Sequence, residues 1–536
     1  MSTAATTAPP SNVRIVSYNV LSSKLSRSSH FTHADPEHLE YEYRLPLILA
    51  KLEEEMTRGL GSIEGNNDGD SSAEETTGTA VDSTKTSEVD DATTTAVAAA
   101  AAAPPTIFCL QEICYPFSSA LHTFFAQKGY HFVTGLYGKK FNGYMGIGIA
   151  YPMKDFDTIK VDIARLSDDR DGGWPRPPPP PTTENDEQPK ITGNGETTTT
   201  TSTTTTDGDA KYDVTSITEA RGNETLVSFD KLQITSAENK NSKRLQKIVR
   251  QISESLEKFT ANTVRSTVDF VRNRIDKPLG VKFRLALGLP PLAGEKEQVI
   301  DPWDMSENRF NVLLTVVLRY RHCYENDEYG NSSNGMFSVS NYHMPCAFFC
   351  PPVMNIHAEM AARRVQDLAA DAWKVHQNDD GETSASSLEQ PTTIPYIFAG
   401  DFNILPESPH YNLFTTAMLD KSDPTYPPPK HGMEWKIGSV AMDSAYALKG
   451  RAGSEPEFTN YAHVKEDEDP FIGTLDYIFL SQKEQTSSGS SSSSNGAHWK
   501  VCGIKKLPST AASGGPFPNK VEPSDHLLIA ADLELV

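Results

Sequence analysis

Four stretches of this chain cannot help to build a hydrophobic core, and they govern how the remainder can fold. Residues 62–103 run through Gly, Asp, Ser and Thr into a block of Ala. Residues 172–210 hold a Pro run and a Thr run, and the insert they open extends to 240. Residues 378–392 and 484–497 are polar, the second nearly all Ser. Such segments bury too little apolar surface to offset the entropy of ordering, so disorder is expected in all of them. At 536 residues the chain would otherwise suggest several domains. With the inserts set aside, one domain over 11–536 is expected, interrupted at 62–103, 172–240, 378–392 and 484–497 and by a helical insert at 241–299.

Between the inserts, the core arrives in pieces. Apolar strand-like runs occupy Val13–Leu21, Thr106–Gln111, Tyr144–Tyr151, Val312–Tyr320, Met336–Tyr342, Ile394–Gly400, Leu475–Leu480 and Leu527–Leu533. Helical spacing marks Tyr41–Met56, Phe117–Lys128 and Met354–Ala370. Strands and helices interleave, but several strand pairs lack a helix between them. That favours an α/β sandwich of mixed sheets over a purely parallel sheet. Residues 242–275 also have helical spacing, with Leu245, Ile248, Ile252 and Leu256 on one face and Lys243, Arg244, Lys247 and Arg250 on another. A helix packed on the domain with a solvated basic face is the plainer reading. Contact with a membrane surface, an RNA or a protein is the sharper one.

The polar residues at the ends of those runs carry the chemistry. Asn19, Glu112, His343, Asp401, Asn403, Asp476, Asp525 and His526 each border an apolar run. Active sites collect at strand ends on a rigid sheet. Oxygen ligands suit a hard cation such as Mg²⁺, a carboxylate can orient or deprotonate water, and a histidine can serve a phosphoryl oxygen or a leaving group. Together they point to hydrolysis at phosphorus. Taken singly, Asn19 reads as a turn residue and Glu112 as half of a salt bridge. Gly-Asp-Phe-Asn at 400–403 places acid and amide on one side if strand geometry persists, with an Asx turn as the alternative. Ser524-Asp525-His526 could equally be a helix cap, and Leu475-Asp476-Tyr477-Ile478 a mere strand start.

Ser17-Tyr18-Asn19-Val20-Leu21, Leu110-Gln111-Glu112, Gly400-Asp401-Phe402-Asn403, Leu475-Asp476-Tyr477-Ile478 and Ser524-Asp525-His526 resemble, in this order, the motifs of the endonuclease/exonuclease/phosphatase superfamily. They span nearly the whole chain. Within it, the chain looks similar to the branch of carbon-catabolite-repressor-type deadenylases, nocturnin, Angel and the 2′,5′-phosphodiesterase. Three features point there: no Asp two residues after Asn19, the Tyr43-Arg44 pair in the first helix, and Phe458-Thr459-Asn460-Tyr461 shortly before Asp476. The resemblance implies a four-layer sandwich, two packed mixed β-sheets flanked by helices with long low-complexity insertions. It implies that Glu112, assisted by Asn19 and Asp525, holds Mg²⁺, with Mn²⁺ able to substitute. It gives Asp401 the attacking water and Asn403 the phosphate or the incoming hydroxide. Asp476 and His526 become an acid–histidine pair, and His343 a contact to the scissile phosphate. The family's Thr-His-Leu stands here as Tyr342-His343-Met344, which alters the flank of that histidine. No leucine-rich repeat is visible before residue 11, so adaptor docking of the deadenylase type is not expected.

The activity expected is an Mg²⁺-dependent phosphodiester hydrolase acting on RNA, a 3′-exonuclease or deadenylase-like nuclease. A phosphatase or phosphodiesterase for a small nucleotide or phosphoinositide is the alternative, and an inactive scaffold that uses the fold for binding is the second. The net charge of −22 counts against broad, non-specific duplex binding and favours a small or single-stranded substrate. Six cysteines include Cys346 and Cys350, but no second pair or His cluster completes a zinc spacing, so reduced thiols are expected. The first residues lack the charged and apolar regions of a signal peptide, and no apolar run is long enough to span a membrane. An intracellular protein of the cytoplasm, with the nucleus as the other compartment, is the resulting expectation.

Overall fold

Alternation within single strands explains the architecture. The computed structural model describes residues 12–58, 103–168, 170–178, 300–321, 335–379, 393–450, 454–464, 469–483 and 497–536. The chain divides into two compact units, Met1–Pro177 with Val299–Val536, and Pro178–Gln298. The second unit, and with it the expected helix at 242–275, lies outside the described residues apart from Pro178. So do nearly all of the expected disordered inserts. Where the second insert begins, Trp174 packs against the core and donates its indole N–H to Ser167 O at 2.8 Å.

The first half of the fold contains β1 (Asn12–Asn19), α1 (Tyr41–Thr57), β2 (Thr106–Ile113), α2 (Tyr115–Gln127), β3 (Tyr130–Leu136), β4 (Gly146–Pro152) and β5 (Phe156–Arg165). The chain continues through α3 (Pro302–Glu307), β6 (Val312–Tyr320), β7 (Met336–His343), α4 (Pro351–Asp379), β8 (Tyr396–Asp401) and α5 (Pro409–Thr416). It ends with β9 (Met442–Ser444), α6 (Ala445–Lys449), β10 (Asn460–Ala462), β11 (Phe471–Gly473), β12 (Asp476–Ser481), β13 (Trp499–Ile504) and β14 (Ile529–Leu535). One six-stranded sheet has the order β13-β14-β1-β2-β4-β3, and the other β5-β6-β7-β8-β12-β9. The β1–β2 and β7–β8 pairs are parallel and the remaining pairs antiparallel, so both sheets are mixed.

Successive side chains leave opposite faces of a strand, and here each face has its own core. Val13 and Ile15 of β1, Ile107 of β2 and Ile147 and Ile149 of β4 meet Leu314, Val316, Val339, Ile397 and Ile478 between the sheets. The alternate residues Val16, Tyr18, Phe108 and Leu110 pack against Ile48 and Leu52 of α1 and Phe117, Leu121 and Phe125 of α2. On the far side, Leu313, Val317, Phe398, Tyr477 and Phe479 pack beneath Val353, Ile356 and Val365 of α4. Strands buried on both faces read as continuous apolar runs, which is why the central ones stood out in sequence. The result is four layers: helices, sheet, sheet, helices.

Several expected boundaries move. The strand expected to stop at Glu112 continues through it to Ile113, with an extra residue relative to β4 between Leu110 and Ile113. The last strand begins two residues later than expected, because the chain from Ser524 to Leu528 is turned into the site. The helix expected at Met354–Ala370 extends to Pro351–Asp379. The edge strands β3, β5 and β13 went unread; in β5, Ile159, Val161 and Ile163 are exposed, so no buried apolar run marks it.

Two buried histidines of the second half are held neutral. His357 Nε2 donates to Ser306 O at 3.1 Å, and its Nδ1 accepts from the Tyr342 hydroxyl at 3.1 Å. His410 Nδ1 donates to Asn355 Oδ1 at 2.7 Å. Burial pulls the pKa of each down to about 4. The unfolded chain therefore binds protons that the folded chain refuses. The stability each provides is complete above about pH 6.5 and is lost as pH falls toward 4, by up to about 3 kcal/mol per residue. Urea unfolding of His410→Gln at pH 4.5 and pH 7 should show a smaller loss on acidification than wild type; an equal loss would refute this.

Candidate functional site

Strand register gathers the site. His343 is the register partner of Asp401 in the parallel pair β7–β8, and Asp476 is the partner of Asp401 in the antiparallel pair β12–β8. On the other sheet, Asn19 is the partner of Gln111, one residue before Glu112. Since β14 runs antiparallel to β1, the residues just before it, Asp525 and His526, fall at the same end. A bridge between Asn460 and His526 ties in β10. All eight residues singled out from the sequence therefore converge, four from each sheet.

Local backbone aims them. The bulge in β2 sends Gln111 between the sheets and Glu112 to the rim, at φ 58°. Glu112 Oε2 accepts the Ser22 N–H at 2.9 Å. After β8, Asp401 Oδ1 accepts the Asn403 N–H at 3.0 Å, and Asn403 has φ 53°. Strand geometry does not persist to Asn403; the Asx turn forms instead. Asp401 and Asn403 both still line the cavity. Gly400, at φ 153°, lies against β7 so closely that a Cβ would sit 1.9 Å from Tyr342 O, which reserves this position for glycine. Arg44, fully buried, holds the two chain segments beside the site: it donates to Val20 O, to Leu21 O at 2.7 Å and to Pro523 O.

The centre is a chain of hydrogen bonds and close charged contacts. His526 Nδ1 lies 2.8 Å from Asp476 Oδ2, and its Nε2 lies 3.7 Å from Asp401 Oδ2. The same Asp401 oxygen accepts from Asn19 Nδ2 at 3.0 Å and lies 3.6 Å from His343 Nε2. His343 Nδ1 meets the Tyr137 hydroxyl at 3.1 Å. With that hydroxyl donating, the Nε2–H of His343 faces Asp401. Burial opposes charge on His526, but Asp476, Asp401 and Asp525 outweigh it and hold its pKa well above the usual 6.5. Burial keeps the Tyr137 hydroxyl protonated, with the nearby Glu112 adding to the effect.

These groups border a cavity of about 410 Å³ lined by Glu112, His343, Asp401, Asn403, Asp525 and His526, with Asn19 and Asp476 behind them. Among the described residues, Asp401, Asp476 and His526 each bring one ligand-type atom within 4.8 Å of the others. Since His526 and Asp476 are bonded to each other, that trio is better described as an acid–histidine pair facing a second acid. The other oxygen donors suit a cation: carboxylates of Glu112 and Asp525 in the cavity wall and, behind them, the amide oxygen of Asn19. That oxygen accepts the Leu21 N–H at 2.9 Å and has a second lone pair. The residues fit a hard divalent ion.

Tyr137 and Thr459 were not anticipated as site residues. Nothing in sequence marks Tyr137. Thr459 belongs to the Phe458-Thr459-Asn460-Tyr461 segment. Its hydroxyl donates to Asp476 Oδ2 at 2.6 Å and accepts the N–H groups of Leu475 and Asp476 at 2.9 and 3.1 Å. Asn460 Nδ2 in turn donates to Asp525 Oδ2 at 3.3 Å.

No family model matches the chain. Over 165 residues it is 29% identical to the CCR4-Not complex 3'-5'-exoribonuclease subunit Ccr4 of Aspergillus clavatus, a match covering 29% of this chain and 22% of that protein. The subunit of the same name in Aspergillus fumigatus is 28% identical over 166 residues, covering 29% and 21%. The chain thus spans about a fifth of the length of the curated relatives it matches. Among solved structures, ANGEL2, a 2',3'-cyclic phosphatase, in complex with adenosine-2',3'-vanadate, superposes with a TM-score of 0.45 at 13% identity, covering 98% of this chain and 96% of that one. The human Nocturnin catalytic domain with bound sulfate superposes with a TM-score of 0.39 at 13% identity, covering 98% and 94%.

Removing the Thr459 hydroxyl leaves two buried N–H groups and one carboxylate oxygen short of a partner. Thr459→Val should lower stability by about 1–3 kcal/mol, and Thr459→Ser should restore most of it. Equal urea midpoints for wild type and Thr459→Val would show that the network has no energetic role.

Proposed function

We propose that this chain, which is similar to the Ccr4-containing branch of the endonuclease/exonuclease/phosphatase superfamily, is a divalent-metal-dependent phosphodiesterase acting on single-stranded RNA. The observation that carries the reading is His526, held between Asp476 and Asp401 and lining an open cavity together with Glu112. The local similarity to exoribonuclease subunits supports it. So do the aromatic side chains around the cavity: Phe141, Phe348 and Phe471 are exposed at its rim and Phe310 lines it. Unpaired bases stack on such rings, whereas paired bases are not free to.

In this reading a water molecule attacks phosphorus, the bond from phosphorus to the leaving oxygen breaks, and that oxygen takes up a proton. Asp401 accepts the proton of the attacking water; its Oδ2 is steadied for this by Asn19 and its Oδ1 by the Asn403 backbone. His526 supplies the proton to the departing oxygen, and Asp476 fixes the ring and favours its charged form. His343 donates from Nε2 to a non-bridging oxygen, with Tyr137 setting the tautomer. Asn403 steadies the phosphate through its side-chain amide. Glu112 and Asp525, with the amide oxygen of Asn19, would hold the cation. Mg²⁺, or Mn²⁺ in its place, would supply neutralisation of the charge that develops during hydrolysis.

A panel of Mg²⁺ assays separates substrate classes: poly(A), mixed-sequence RNA, 2′,5′-oligoadenylate, abasic duplex DNA, NADP and an inositol phosphate. Cleavage confined to the RNA oligomers is expected, with loss on chelation and recovery on adding Mg²⁺. Glu112→Ala and His526→Ala should each lower kcat by about a hundredfold or more while the chain still folds. Turnover of a small phosphoester alone would overturn the RNA assignment, and undiminished turnover in Glu112→Ala would overturn the site.

A further inference from the structure

The cavity holds one charged group that this chemistry leaves unused. Arg309 precedes β6 and is the sole Arg or Lys among the described residues that line the cavity. Its backbone is fixed: the carbonyl accepts from Arg165 Nε at 3.0 Å and from Ser167 Oγ at 2.7 Å. Two residues on, Asn311 Nδ2 donates to His343 O at 2.8 Å, which seats this segment beside the end of β7. The guanidinium lacks such anchors. Its Nε and Nη2 are buried and have no hydrogen-bond partner.

A guanidinium carries five N–H donors and no acceptor, and buried charged donors left unsatisfied are costly. A cation placed to balance the cavity's own acids would lie on one of them. Arg309 pairs with neither Glu112, Asp401 nor Asp525. The groups that feel its charge most are Cys346, Tyr342 and Cys350, at the end of β7 and in the chain after it. Arg309 thus borders the cavity without meeting any of its carboxylates. Lys139 prolongs the basic wall outward, with Nζ 5.0 Å over the ring of Phe310, the next residue in the chain. The planar fork of an arginine matches a phosphate with two parallel N–H donors.

We propose that Arg309 binds a second phosphate of the substrate, adjacent to the one that is cut, and so sets a preference for nucleotides with at least two phosphates over single-phosphate diesters. This rests on the phosphodiesterase reading of the cavity. It assigns Arg309 to specificity and not to bond breaking.

The test compares the dinucleotides ApA, pApA and ApAp as substrates in Mg²⁺, with wild type, Arg309→Gln and Arg309→Lys. In parallel, inorganic pyrophosphate is titrated and thermal stabilisation is read, which needs no turnover. For wild type, KM for pApA or ApAp should lie about ten- to a hundredfold below that for ApA, and the better of the two locates the second phosphate. Arg309→Gln should bring that ratio close to one and lose the stabilisation by pyrophosphate. Arg309→Lys, which keeps the charge without the fork, should fall between. An unchanged ratio in Arg309→Gln, or equal losses on ApA and the longer substrates, would overturn the assignment. If wild type cleaves none of the three, the RNA reading fails separately. Pyrophosphate then decides: stabilisation lost in Arg309→Gln supports the phosphate site, and stabilisation retained refutes it.

Discussion

The two halves of this fold are keyed together by one pair of amides. Gln111, turned inward by the bulge in β2, donates from Nε2 to Asn341 Oδ1 at 2.8 Å and to Ser17 Oγ at 3.1 Å. Asn341, on β7, donates back across the interface to Leu110 O and Gly148 O, each at 2.9 Å. Both amides are fully buried in an otherwise apolar seam. Apolar contacts are non-directional and would tolerate sliding of one sheet over the other. Buried amides do not, since any slip leaves their donors unsatisfied. This contact lies one residue behind Glu112 on one sheet and two behind His343 on the other. It thereby fixes the spacing across which every pair of site residues must meet.

Around that key the site accepts unfavourable local terms. Leu21, Glu112 and Asn403 all have positive φ near 50–60°, where residues with a Cβ are uncommon. Arg44 is buried completely, and burial brings its pKa down to about 10, still cationic at neutral pH. Its Nε and Nη2 donate to backbone carbonyls flanking Asn19 and Ser524. These costs fall where side chains are aimed at the cavity, and the apolar layers on either side hold the strained segments in place.

Much of this was legible in sequence because both core strands and site residues obey simple rules. β6 and β8 are apolar on both faces, so their runs were visible, and the acids and amides that end such runs mark the rim of a sheet. The sequence did not reveal what depends on contacts between distant segments. The bulge at Gln111–Glu112 exists because of pairing with β4, so the strand was expected to stop early. Strand geometry was expected to continue to Asn403, whereas the side chain of Asp401 competes for the next backbone N–H and turns the chain. Tyr137 lies on an ordinary stretch and becomes important only through its meeting with His343. Nothing in the sequence separates Arg309 from other basic residues; the unpartnered Nε and Nη2 are a property of the folded chain alone.

The direction of the strands has a further consequence. β1, β2, β7 and β8 all run toward the cavity, while β6, β12 and β14 run away from it. The segments that flank residues 59–102, 322–334, 380–392 and 484–496 are therefore attached at the opposite edge of the sandwich, a strand's length of roughly 20–30 Å from the reacting atoms. That edge is also where an affinity tag, a fluorophore or a crystallisation partner could be grafted at a distance from the cavity.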